Sequence, residues 1–181
     1  MEFKTSNPRA ARAAFTLPEM LIAMGIGLIV LLFASSFYLF SIRSFTALAN
    51  YTDLNLKSRY ASDLISRDLR SALSVQSLNN NQLVLNQTGG TTTYTYDPSG
   101  GTLTRTEGSR TQVLLTQIAR NSFTFSFYGR PTNSIYESFP TNSPNGAKLV
   151  GFSWSCTRPL LVGSATNSET LQMALVTLRN Q

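Results

Sequence analysis

Polarity along this chain changes character three times. A short leader carrying Glu2, Lys4, Arg9 and Arg12 gives way to an apolar run over residues 17–40, in which Glu19 is the only charged residue among 24. At about 1.5 Å per residue, a helix of that length matches a hydrocarbon core of roughly 30 Å. Beyond Phe40 the apolar residues recur at helical spacing instead of running on. Leu54, Ala61, Ile65, Leu69 and Ala72 fall on one stripe. Asp53 with Lys57, Arg59 with Asp63, and Asp63 with Arg67 stand four apart on the remaining surface. No proline interrupts residues 20–73. The pattern predicts one continuous helix to about Leu73, its first half in lipid and one face of its second half on a folded domain.

After Leu73 the period shortens to two, the spacing of strands. Residues 82–86, 91–96 and 102–106 read as an antiparallel meander. Asn79-Asn80-Asn81, Thr88-Gly89-Gly90 and Asp97-Pro98-Ser99-Gly100-Gly101 punctuate it as turns. Residues 112–118 continue as a short strand or connection. In residues 122–128 Phe123, Phe125 and Phe127 share one face, a core stripe under the helix. Residues 129–147 hold three prolines and many Ser, Thr and Asn, and read as a long loop suited to a partner contact. The last strands are residues 148–154, with Val150, Phe152 and Trp154 alternating, and residues 171–178. A second loop, residues 158–169, separates them. A helix followed by strands predicts an α+β fold in which the long helix packs on an antiparallel sheet.

Charge and composition narrow the function. Of a net charge of +6, the leader holds +2 (three basic residues, one acidic), leaving +4 on residues 15–181. A basic leader before an apolar helix keeps the amino terminus cytoplasmic and places residues beyond 40 on the far side of the membrane. The remaining basic residues are scattered, so nucleic acid is permitted as a partner but nothing supports it. Histidine is absent, which removes imidazole catalysis and imidazole metal sites. The carboxylates are dispersed, with no calcium-loop spacing and no phosphate-binding glycine loop. Cys156, the only cysteine, excludes an intrachain disulfide and reads as a buried thiol beside Trp154. An enzyme is therefore not expected, nor any metal or cofactor. Glu19 remains. A carboxylate in a membrane helix costs roughly 2.5–3.5 kcal/mol on insertion scales, so it marks a functional position whose natural partner is a cation at similar depth.

Ala14-Phe15-Thr16-Leu17-Pro18-Glu19, followed by Met20-Leu21-Ile22-Ala23-Met24, resembles the prepilin, or class III, signal of type IV pilins and type II secretion pseudopilins. An ordinary secretory signal differs, since its small-residue cleavage site follows the apolar region. The resemblance implies cleavage between Ala14 and Phe15 by a prepilin peptidase, N-methylation of Phe15, and a role for Glu19 in assembly through a neighbour's amino terminus. The family usually has glycine before the cut, where this chain has Ala14. Residues 61–72 and 176–180 look like the corresponding segments of J-type minor pseudopilins and related minor pilins. A pilin-like fold is implied, with a leader (1–14), a transmembrane assembly helix (15–40) and a periplasmic domain (41–181). So are a place in the bacterial inner membrane and partners comprising other pilin or pseudopilin subunits, the peptidase, the inner-membrane assembly platform and lipid. The expected function is that of a structural, minor subunit of a type II secretion pseudopilus or type IV pilus. The alternative is a tip-exposed minor pilin that binds DNA, a surface or a secreted substrate.

Overall fold

The computed structural model describes residues 15–131, 137–141, 143, 146–160 and 166–178. The chain divides into two compact units, Met1–Ile42 and Arg43–Gln181. One helix, α1 (Leu17–Ser71), contributes to both. In the first unit residues 15–40 are exposed throughout, and α1 is long and apolar enough to cross a membrane. In the second unit α1 buries Leu54, Ser58, Ala61, Leu64, Ile65, Asp68 and Leu69, and Ala72 is buried just past its end. The predicted stripe is thus the packed face. Two polar residues, Ser58 and Asp68, share it. The helix stops at Ser71 because Leu73 N–H donates to the carbonyl of Asn86 at 2.8 Å, which draws the chain into the first strand.

The strands form two antiparallel sheets, where the polarity pattern suggested one. Strands β1 (Ser74–Asn79), β2 (Gln82–Gln87), β3 (Gly90–Asp97), β4 (Thr102–Glu107) and β5 (Arg110–Leu115) make a meander in chain order. Strands β6 (Thr124–Gly129), β7 (Phe139–Pro140), β8 (Leu149–Pro159) and β9 (Thr166–Thr177) make the second sheet, ordered β7-β6-β8-β9. The break lies between β5 and β6, where Gln117 and Asn121 take positive φ of 63° and 58° and turn the chain out of the meander. Ile118 stitches the two sheets together. Its N–H donates to the Gly101 carbonyl at 2.9 Å, and it bridges Cys156 in β8. Gly101 is required there twice over: its φ is +59°, and a Cβ would lie 2.9 Å from the Ile118 carbonyl oxygen.

Three local expectations are corrected. β1 went unrecognised, because its pairing with β2 shifts register between Val75 and Ser77 and breaks the alternation. Residues 158–169 are not simply a loop: Arg158 pairs with Asn167 and Pro159 with Thr166, which lengthens the β8–β9 hairpin. This stretch is polar because it meets the polar flank of α1. Arg158 reaches Asp53 at 2.9 Å, Asn55 donates to Glu169 at 3.0 Å, and Asn167 donates to the Ala47 carbonyl. Within residues 129–147, β7 pairs with the end of β6 and Ala147 is fully buried. Most of the rest of that segment lies outside the described residues, and so does the leader.

One apolar core joins these layers. Ile65 and Leu69 of α1 share one buried cluster with Leu83, Leu85, Tyr94 and Leu103 of the first sheet and Phe125, Phe152 and Trp154 of the second. Phe123, Phe125 and Phe127 are buried as expected. Tyr96 stacks on Phe123 at 4.4 Å between ring centres, which gives the two sheets an aromatic contact.

Candidate functional site

The amino-terminal residues build the first turn of α1. The Thr16 carbonyl accepts from Met20 N–H at 3.1 Å, so Thr16 is the N-cap. Thr16 N–H in turn donates to Glu19 Oε2 at 3.4 Å. This is the back-reaching half of a capping box, Thr-x-x-Glu, in which the third residue of the helix satisfies an orphan donor at its start. The carboxylate also lies where the helix dipole favours negative charge. Pro18 sits in the same turn, where a missing N–H costs nothing. Within the chain, then, Glu19 has a backbone partner at the Thr16-x-x-Glu19 spacing. Phe15 is 74% exposed immediately before the cap. Ala14, on the other side of the expected cut, lies outside the described residues.

A second polar cluster holds the folded domain together, and no sequence motif announced it. Asp68, on the buried face of α1, accepts from Tyr94 Oη at 2.8 Å and from Arg105 Nε at 2.7 Å, both at Oδ2. Arg105 Nη1 then donates to Glu107 Oε2 at 2.6 Å. A buried carboxylate is costly unless paired and hydrogen-bonded. Here one guanidinium and one phenol from the first sheet meet it. Burial, followed by the adjacent Asp68 charge, pushes the Tyr94 phenol up, so it stays protonated and donates. Trp154 Nε1 of the second sheet donates to Ser58 Oγ at 2.9 Å, which explains the other polar residue on the buried face. Further along α1, Asp53 binds Lys57 and Arg158, each at 2.9 Å. The Lys57 hydrogen bond, assisted by Arg158, holds the Asp53 carboxyl below its ordinary range. The other two spacings of four, Arg59 with Asp63 and Asp63 with Arg67, form no ion pair among the described residues. Arg67 lies 3.7 Å from Asp68 instead.

These groups have the chemistry of structural clamps. Among the described residues no three His, Cys, Asp or Glu side chains gather where they could hold a metal ion. Burial pushes the Cys156 thiol up to about 11, so the thiolate needed for nucleophilic chemistry is scarce at neutral pH.

Residues 9–35 match the family described as the prokaryotic N-terminal methylation motif. The chain carries a prepilin-type signal. Phe15, Thr16 and Glu19 all fall inside it. No curated protein and no solved structure matches the chain. A motif of this kind implies processing by a prepilin peptidase and assembly with pilin subunits, and the apolar helix that follows it here fits anchoring in a membrane. The match ends at residue 35, so it does not bear on the J-type likeness of residues 61–72 and 176–180. Arg179 and Asn180 also lie outside the described residues.

Proposed function

We propose that this chain is a minor subunit of a type II secretion pseudopilus or a type IV pilus. The observation that carries this reading is the methylation motif over residues 9–35, with its one intramembrane carboxylate placed in the first turn of a membrane-length helix. A prepilin peptidase cuts between Ala14 and Phe15 and leaves an amine on Phe15, which is methylated. Residues 41–181 fold on the periplasmic side, and residues 17–40 wait in the bilayer. There Glu19 accepts from Thr16 N–H, which offsets part of the cost of a carboxylate in lipid. During assembly the cationic Phe15 amine of a neighbouring subunit becomes the better partner, because a full positive charge adds direct Coulomb attraction to the hydrogen bond in a low-dielectric setting, which a neutral backbone N–H does not. The apolar run exchanges lipid for other helices, and pairing of Glu19 sets the axial register. The β-rich domain and the likeness of residues 61–72 to minor subunits support the minor role.

The test separates membrane insertion from assembly. Glu19→Ala and Glu19→Gln are expected to insert and lose their leader as wild type does, since an intramembrane charge is removed. Both are expected to be depleted from assembled filaments when filament and membrane fractions are compared. Equal incorporation of wild type and both variants would reject the pairing mechanism.

A further inference from the structure

The second sheet ends on a long strand, β9. It has β8 on one side, and no strand lies on the other among the described residues. Exposed edges are usually blunted by lysine, proline or inward charges. β9 carries none of these over 12 residues except Glu169, whose carboxylate accepts from Asn55. The backbone orientation follows from one hydrogen bond. Leu178 N–H donates to the Lys148 carbonyl at 2.9 Å, toward β8. Successive residues of a strand turn their backbone groups to alternate sides. Thr177 and Leu175 therefore direct their N–H and C=O groups to the open edge.

Beside these residues is a cavity of about 370 Å³ lined by Arg70, Leu175, Val176 and Thr177. Leu175 is 57% exposed there. Arg70, in the last turn of α1, is exposed and makes no ion pair among the described residues. Edge-facing backbone groups and an apolar floor make a strand-addition site, and Arg70 beside them offers a guanidinium that has no ion pair among the described residues. The geometry points to the β9 edge at Leu175 and Thr177 as a docking groove for an extended segment of another subunit, with an apolar side chain on Leu175 and a carboxylate on Arg70.

A second copy of β9 fits less well. Asn167 meets Ala47, Glu169 meets Asn55, and residues 175–177 face Arg70, so β9 runs in the same direction as α1. Antiparallel pairing of two β9 edges would set two α1 helices in opposite directions, whereas subunits held in one membrane share a direction. This exclusion rests on the membrane reading above; the strand-addition groove does not.

The experiment uses the full chain in detergent micelles. The probe is a fluorescein-labelled peptide of alternating valine and threonine ending in glutamate. Saturable binding by anisotropy is expected. It is expected to fall about tenfold or more when alternate peptide amides are N-methylated, and to weaken when glutamate is replaced by lysine. Arg70→Glu is expected to invert the preference between the two peptides. Thr177→Pro removes an edge-facing donor without removing a bond to β8, so it is expected to fold and to lose binding. If Thr177→Pro fails to fold, the N-methylated peptide on the wild-type chain decides. No saturable binding, equal binding of the N-methylated peptide, or an effect of Arg70→Glu on thermal stability alone would overturn the proposal. A concentration-dependent dimer cross-linked through position 177 would assign the edge to a second copy and also overturn it. None of these readouts depends on filament assembly, so their failure leaves the pilin reading intact, and failure of that reading leaves them intact.

Discussion

The two halves of α1 share a backbone geometry and almost nothing else. Residues 17–40 contain one charged side chain, and all of them are exposed. From Arg43 onward the same helix is two-faced. Leu54, Ala61, Leu64, Ile65 and Leu69 are buried, and Arg59, Asp63, Arg67 and Arg70 carry charge on its surface. A helix apolar all round calls for a medium without water, whereas a striped helix calls for a sheet. In each half the polar residue that breaks the pattern is informative. Glu19 has a single backbone donor at 3.4 Å. Asp68 has two side-chain partners within 2.8 Å and is 4% exposed. The first carboxylate keeps capacity for a further partner; the second is committed inside its own domain.

The sharpest way to separate the halves is to destroy one. Phe125→Asp places an unpaired charge in the core that α1 shares with both sheets, which costs several kcal/mol. The domain is expected to unfold, with loss of the near-ultraviolet signal of Trp154, while leader cleavage and membrane insertion persist. A folded Phe125→Asp domain would mean that the aromatic stripe is not core. Next in size is Asp68→Ala. It leaves the buried Tyr94 phenol without its acceptor and Arg105 with Glu107 alone, and removing one partner of a buried pair costs about 3–5 kcal/mol. Chemical denaturation would read the loss, and Glu19→Ala is expected to leave the same midpoint unchanged. If the two substitutions shift it equally, the contrast between the carboxylates fails.

Much of this was legible along the chain. The period of the apolar residues located the buried face of α1, and the turns after β1, β2 and β3 sit where Asn79-Asn80-Asn81, Gly89 and Asp97-Pro98-Ser99-Gly100 predicted. There the Asp97 carboxylate accepts from Ser99 N–H at 2.9 Å and from Gly100 N–H at 3.0 Å, a bond pattern local enough to be encoded in four residues. The Asp68 network was not legible. Its partners Tyr94 and Arg105 lie 26 and 37 residues away, and a charged residue on a helix gives no local sign of facing inward. The division into two sheets was hidden for a similar reason, since it depends on positive φ at Gln117 and Asn121, residue types that do not demand it. The capping box at Thr16 and Glu19 is local, and the Thr-x-x-Glu spacing encodes it in four residues.

Smaller effects refine the contrast within the domain. Ser58→Ala leaves Trp154 Nε1 without its acceptor, a loss of about 1–3 kcal/mol that thermal unfolding would register. Asp53→Asn is expected to cost under about 1 kcal/mol, because the carboxylate is 41% exposed and water screens its pairs with Lys57 and Arg158. Its sign with pH is definite. The folded-state pKa lies below the ordinary 3.8. The wild-type advantage is therefore fully present above that value and fades as pH falls through the lower folded value. An advantage that instead grew on acidification would contradict the assigned ion pairs.

The central claim is that residues 1–14 are removed to expose Phe15 as a methylated amine, and the amino-terminal peptide of the membrane-bound protein tests it most directly. Mass spectrometry from a strain with an active prepilin peptidase is expected to find a chain of 167 residues (181 less the 14 of the leader) that begins with N-methylated Phe15. An intact leader in that strain, or a terminus created by cleavage after Ala34 or Ser35, would contradict the account.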